Sequence, residues 1–375
     1  MSDRDQTRPR STLGGIFIRL LIGALHVSRR STKYNLKEPL KVPLTISDSI
    51  NTLNRGTKMK LLGKTKAYQK AFFNLQRLPI YMPANHRSQW FLSDDEANFE
   101  KAKGQSIYSR DDVTYEFNSH GFRSVEFEHD PDAINILIVG ESNSIGVGLP
   151  FDDIWFNTLG KQLKYKHGVD RVKFFNMSMS GITLDYMAML VNQAYDVLKP
   201  DFVIVLGTSF FGSTYFMSED QDKSEEFLCF SLGSVLKPSD GKIAADKTFM
   251  PPELRSKAHS FTLDLNLANC FFKSYMAYCF IKRICQGQFL IYFRNQKVYN
   301  IDLTQEILKY DSDFLDHFLE FSSDIISPAN CSPPNFARDG IHVGKQNHDQ
   351  IATTVETKLI NNGAIQKWQA KLKKD

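Results

Sequence analysis

The chain has 375 residues, 42% of them hydrophobic and 23% charged, which excludes a wholly disordered, collagen-like or coiled-coil protein. That length leaves room for one large α/β domain with additions or for two to three domains. A net charge of +4, dispersed and not interleaved with an aromatic binding motif, argues against a nucleic-acid partner.

Residues 1–60 read as an N-terminal extension, basic and broken by Pro39 and Pro43. Its apolar run over residues 14–27 is shorter than the ~20 residues a spanning helix needs, carries Arg19 in its middle, and precedes no small-x-small cleavage site. Residues 1–33 hold seven Lys or Arg against two Asp. Two readings stay open: an interfacial helix touching an anionic membrane through residues 14–30, and a helix packed on its own domain or a frayed leader. The expected location is accordingly cytoplasmic or membrane-associated. Five cysteines (Cys229, Cys270, Cys279, Cys285 and Cys331), an odd number with no C-x-x-C pair, predict free thiols in a reducing compartment rather than disulfides or zinc, and no metal or cofactor is expected.

Residues 61–375 are expected to form the main domain. From Leu78 to Phe127, short runs bounded by Pro, Asn, Asp and Gly predict irregular β structure, including Tyr115–Phe117 and Asn118-Ser-His-Gly-Phe-Arg123. Ile134–Val139 is a continuous apolar run of strand length, ended by Gly140. Pro150 and Asp152 open a helix with Trp155, Phe156, Leu159 and Leu163 at helical spacing, which ends near Gly168. A strand over Val172–Met177, a helix over Leu184–Leu198 and a strand over Phe202–Leu206 follow. This alternation predicts a parallel sheet of βαβ units, whose ligands bind at the carboxyl ends of the strands.

The first strand end carries Gly140-Glu141-Ser142-Asn143-Ser144-Ile145-Gly146-Val147-Gly148. That order matches neither a P-loop nor a dinucleotide fingerprint, and it is not the G-x-S-x-G elbow. A serine on a strand-to-helix turn is a placement suited to a nucleophile, with the helix N-terminus favouring a nearby oxyanion. Such a serine needs a base. Of nine histidines only His342 has an Asp three residues earlier, in Arg338-Asp339-Gly340-Ile341-His342, so Asp339 can orient its ring.

Gly140-Glu141-Ser142 with Ile145-Gly146, then Asn176-Met-Ser-Met-Ser-Gly181-Ile-Thr183, then Asp339-Gly-Ile-His342 resemble, in order, the motifs of the SGNH (GDSL-type) hydrolases. Asn118-Ser-His-Gly-Phe-Arg123 is similar to a segment preceding the nucleophile strand in many bacterial members. The resemblance implies a flavodoxin-like three-layer sandwich with a parallel sheet. It also implies Ser142 as nucleophile, His342 as general base and then acid, and Asp339 as its orienter. The Ser142 and Gly181 backbone N–H groups would be oxyanion donors, Gly181 because a residue without Cβ lets the backbone approach the reacting centre. Two departures stand out. Gly-Glu-Ser replaces the family's Gly-Asp-Ser, and Gly207-Thr208-Ser209-Phe210 places Ser209 where an oxyanion Asn is the rule.

Residues 213–330 read as an insert with an acidic segment over 219–226 and helical stretches over Phe261–Cys285 and Ile301–Phe321. Phe289–Phe293 is the sole candidate for a further parallel strand before the Asp/His loop. The aromatic helices suit either an apolar lid or the domain's own core, and much of the chain's phenylalanine lies there, between Phe210 and Phe321. The function expected is a serine esterase or deacylase acting through an acyl-enzyme on a small-molecule or carbohydrate ester. The alternatives are an acyl (acetyl) transferase acting on a carbohydrate hydroxyl and a non-catalytic glycan- or lipid-binding relative.

Overall fold

The computed structural model describes residues 78, 81–207, 212–216, 227–231, 267–293, 303–320, 325 and 332–373. Residues 1–60, including the stretch 14–30 expected at a membrane surface, Ser209, and the acidic segment 219–226 lie outside the described residues.

Four parallel strands form the central sheet: β3 (Ile134–Gly140), β4 (Val172–Asn176), β5 (Phe202–Leu206) and β8 (Phe289–Tyr292), in the order β4-β3-β5-β8. Every residue of β3, β5 and β8 is buried. With helices on both faces, β5 and β8 are continuous apolar runs, and β3 departs from one only at Asn135, whose side chain donates to Asp130 O and Ala133 O. Alternation along β3 sends Ile134, Ile136 and Ile138 into one core and Leu137 and Val139 into the other.

The first core is closed by three helices: α3 (Trp155–His167), α8 (Lys345–Asn361) and α9 (Ala364–Leu372). It contains Trp155, Phe156, Leu159 and Leu163 of α3, together with Ile351, Val355, Leu359 and Trp368. The opposite core is closed by α4 (Leu184–Leu198) and α5 (Leu267–Cys285), whose Tyr278, Ile281 and Cys285 are fully buried. The result is an α/β three-layer sandwich. Phe289–Tyr292 is its fourth strand, parallel to β5 with Val203 opposite Phe289, and α5 is a layer of the core rather than a lid. Residues 213–330 thus supply part of the sheet and of its covering. Cys279 and Cys285 are free thiols.

The continuous helix expected over Ile301–Phe321 is instead two short ones, α6 (Leu303–Leu308) and α7 (Phe314–His317). Asp311-Ser312-Asp313 breaks it, for short polar side chains favour turns, and here Lys282 Nζ draws both carboxylates toward α5 at 2.8 and 3.0 Å. An antiparallel pair, β6 (Gly212–Phe216) and β7 (Phe227–Ser231), follows β5.

Ahead of the sheet, residues 81–127 are loops around two antiparallel two-residue strands, β1 (Arg87–Ser88) and β2 (Tyr115–Glu116). They also contain α1 (Glu96–Lys101), capped by the Asp95 carboxylate, which accepts from Asn98 N at 2.8 Å. Phe91, Tyr115, Phe117, Phe122 and Phe127 anchor this segment in the second core. Among the described residues no helix is long and apolar enough to cross a membrane.

Candidate active site

The order β4-β3-β5-β8 places the chain's change of direction at β3, so the crevice at its carboxyl end is the natural ligand position. Ser142 stands there as the first residue of α2 (Ser142–Ile145). It is half-buried, whereas Ser144 is fully buried and its Oγ accepts from Trp155 Nε1 at 3.2 Å. Ser144 is therefore engaged in packing, and Ser142 offers the more accessible hydroxyl. A helix of four residues has almost no macrodipole, so the expected help from a helix N-terminus gives way to individual N–H groups.

So short a helix leaves its C-terminal carbonyls without intrahelical partners, and Arg123 supplies them. Its fully buried guanidinium donates to Ile145 O at 3.2 Å, Gly146 O at 2.6 Å and Leu149 O at 2.8 Å. Burial brings its pKa down to about 10, still leaving it charged at neutral pH. Asn118 shapes the approach, its Oδ1 accepting from His120 N and Phe122 N at 3.0 Å each. Asn176 joins the strand ends: its Nδ2 donates to Ser144 O at 2.9 Å and Arg123 O at 3.0 Å.

Beyond β4 the chain keeps pace with β3, because Met177 N donates to Ile138 O at 2.8 Å and Met179 N to Gly140 O at 3.0 Å. Gly181 and Ser142 are thus each two residues past a hydrogen-bonded pair at neighbouring strand ends. Gly181 is exposed with φ of 70°, and a Cβ there would meet nothing within 4 Å. The left-handed backbone at this position itself favours glycine. The described part of the third strand end stops at Gly207, whose N–H donates to Tyr292 O at 2.9 Å.

Asp339 and His342 meet in a loop just before α8. The His342 Nδ1 lies 2.7 Å from Asp339 Oδ2, and the Asp339 side chain is wholly buried. Burial alone would raise the Asp339 pKa, but the His342 ring and the backbone N–H groups of His342 and Ile341 outweigh it and hold the carboxyl below its ordinary range. An ionised carboxylate only accepts, so Nδ1 carries the proton and Nε2 is left as the basic nitrogen. The loop docks on the turn that carries Ser142, with Arg338 N donating to Gly148 O at 2.8 Å. Ser142 Oγ and the His342 ring make no hydrogen bond to one another.

Gly340 has φ of 65°, and a Cβ there would lie 2.5 Å from the Cβ of Ala102, at the end of α1. Gly340→Ala is expected to cost about 1–3 kcal/mol and to displace the loop, read as a lower melting temperature. Behind the loop, His348 on α8 accepts from Trp155 N at 3.1 Å, and complete burial, with the charges of His342, Lys345 and Arg123, pushes its pKa down to about 3. An unfolded histidine takes up a proton below about 6.5 and His348 in the fold does not, so its contribution is whole above that pH and declines as pH falls toward 3. At pH 5 the loss is about 2 kcal/mol. Melting curves at pH 7 and pH 5 should therefore diverge more for the wild type than for His348→Asn.

Four residues that hold this loop carry no recognisable signal in the sequence. Arg338 and Asp94 form an ion pair with both side chains fully buried, at 3.0 Å (Nε to Oδ1) and 2.6 Å (Nη2 to Oδ2). Tyr115 Oη donates to Asp94 Oδ2 at 2.5 Å and accepts from Gly148 N at 2.7 Å, tying the pair to the turn that bears Ser142. Ser93 Oγ donates to Asp339 Oδ2 at 2.8 Å. These partners lie up to 246 positions apart, so no local spacing could have disclosed them.

No family model matches the sequence, and no curated protein is significantly similar to it. Among solved structures, the chain is similar to a psychrotrophic esterase, EstA, from a Pseudoalteromonas species, at 14% identity over 61% of this chain and 97% of the other, with a TM-score of 0.35. It is likewise similar to TesA, at 14% identity over 60% of this chain and 97% of the other, also with a TM-score of 0.35. Likeness at that level leaves the reading of the site to the residues themselves. In the motifs at its strand ends and in its three-layer parallel sheet, the chain resembles the SGNH (GDSL-type) hydrolases.

Proposed function

We propose that the chain is a serine ester hydrolase of the SGNH type. His342 Nε2 takes the proton of Ser142 Oγ as the oxygen attacks the ester carbonyl, and Asp339 stabilises the imidazolium that forms. The tetrahedral oxyanion is met by the backbone N–H groups of Ser142 and Gly181, with the Ser209 hydroxyl in the place of the family's Asn. Collapse breaks the ester C–O bond. His342 gives its proton to the departing alcohol, and an acyl-Ser142 ester remains. Water, deprotonated by His342, then releases the acid and restores the serine. An acceptor hydroxyl of a sugar in place of water would make the same site an acyltransferase.

The observation that carries this reading is the Asp339–His342 pair, buried on its carboxylate side and docked on the turn that bears Ser142. A fluorophosphonate probe should label the wild type and leave Ser142→Ala unlabelled. Equal labelling of both would remove Ser142 as nucleophile. Hydrolysis of p-nitrophenyl acetate should require both Ser142 and His342, and its survival in Ser142→Ala would end the esterase reading.

A further inference from the structure

The Asp339 carboxylate is fully occupied. Oδ1 accepts the N–H groups of Ile341 and His342 at 3.0 Å each, while Oδ2 faces His342 Nδ1 at 2.7 Å and receives the Ser93 hydroxyl at 2.8 Å. Of these donors, Ser93 alone comes from outside the loop. Its turn is rigidly built: Phe91 and Asp94 exchange backbone hydrogen bonds at 2.9 and 3.0 Å, and Asn98 Nδ2 donates to Ser93 O at 2.8 Å. The next residue, Asp94, grips Arg338, which is the residue before Asp339. Two adjacent pairs, Ser93 with Asp339 and Asp94 with Arg338, therefore clasp the segment before the sheet to the loop after it.

We propose that Ser93 is a positioning residue of the active site, its hydroxyl fixing the Asp339 carboxylate against His342; the assignment rests on the hydrolase reading above. Two donors on one oxygen settle the carboxylate's rotation, and the hydroxyl draws charge from the oxygen that faces the ring. Without it, that charge acts wholly on His342, so the imidazolium gains stability and the ring becomes more basic. The other groups around the ring leave this effect dominant. Lys345 is paired with Asp153 and Asp349, His348 is neutral, and Asp94 and Arg338 compensate one another behind Asp339.

The test uses the full chain with Ser93→Ala and Ser93→Thr, the second keeping a hydroxyl. With p-nitrophenyl acetate, loss of the carboxylate's fixed rotation should outweigh the gain in basicity, so that Ser93→Ala lowers kcat about tenfold and moves KM less than twofold. The acidic limb of the kcat/KM profile and the His342 titration, followed by imidazole NMR, should both rise by about half a pH unit. Ser93→Thr should restore most of each. Unchanged kcat and an unchanged His342 titration in Ser93→Ala would overturn the proposal, as would Ser93→Thr matching Ser93→Ala in both. The NMR titration needs no turnover. If Ser142→Ala retains full hydrolysis, the hydrolase reading fails, and the titration still decides separately whether Ser93 governs the Asp339–His342 pair.

Discussion

Asp339→Asn is expected to lower kcat for p-nitrophenyl acetate by about 10⁴ while KM changes little. Asparagine keeps the shape of aspartate and can still accept the Ile341 and His342 N–H groups, so the loop should stay folded. It presents an amide where the ring now meets a carboxylate. If the amide N–H faces Nδ1, the imidazole must place its own proton on Nε2 and can no longer take one from Ser142. If the amide oxygen faces Nδ1, the tautomer survives, but the amide N–H group then meets the Ile341 and His342 N–H donors and the imidazolium loses its counter-charge. Both outcomes act on the transition state more than on substrate binding. The melting temperature should be measured beside kcat, because Asp339 is ionised and buried in the fold, and a variant that unfolds would mimic loss of chemistry. A folded Asp339→Asn enzyme with kcat within tenfold of wild type would remove Asp339 from the mechanism. Ser142→Ala and His342→Ala should be comparably inactive, and combining them should cost little more, since the residues act as one unit.

Arg338→Met should be the most damaging substitution for stability, at about 3–5 kcal/mol, seen as a fall in melting temperature on the order of 10 °C. The Asp94 carboxylate is buried, and burial already keeps its pKa above the ordinary range in spite of the Arg338 and Tyr115 hydrogen bonds. Removing the guanidinium would leave that carboxylate without its cation. The backbone oxygens of Gln89, Arg110 and Val113, which also accept from Arg338, would lose a donor at the same time. The guanidinium further lies 4.3 Å from the centre of the Trp90 ring, so packing is lost with the charge. Arg338→Met combined with Asp94→Leu should recover part of the loss, because the desolvated charge is then gone from both sides. A single variant as stable as the wild type would show that the pair is dispensable. Activity should fall with stability in Arg338→Met, since the residue adjoins Asp339.

The sheet was legible because its signals are local. An apolar run over Ile134–Val139 interrupted only by Asn135, a continuous one over Phe202–Leu206, and helical spacing of Trp155, Phe156, Leu159 and Leu163 depend only on neighbours along the chain. The fourth strand was the harder reading. Phe289–Tyr292 is four residues long and stands 83 positions after Phe202's strand ends, yet its burial on both faces shows in its unbroken apolar sequence. The failures have equally physical causes. A six-residue helix such as Glu96–Lys101 is too short to display a period, and the break at Asp311–Asp313 depends on Lys282, which is far away in sequence.

The residues of the candidate site divide along the same line. Ser142 after a strand, Gly181 after the next and Asp339 three before His342 are features of the sequence alone, because backbone turns and short spacings create them. Tertiary structure decided what surrounds them. It assigned Ser144 to Trp155, placed Arg123 on the carbonyls of the turn after Ser142, and brought Ser93 and Asp94 to the Asp339 loop. Those partners are recruited across 11 to 246 positions by burial, which obliges every polar group taken from water to find a mate wherever the fold supplies one.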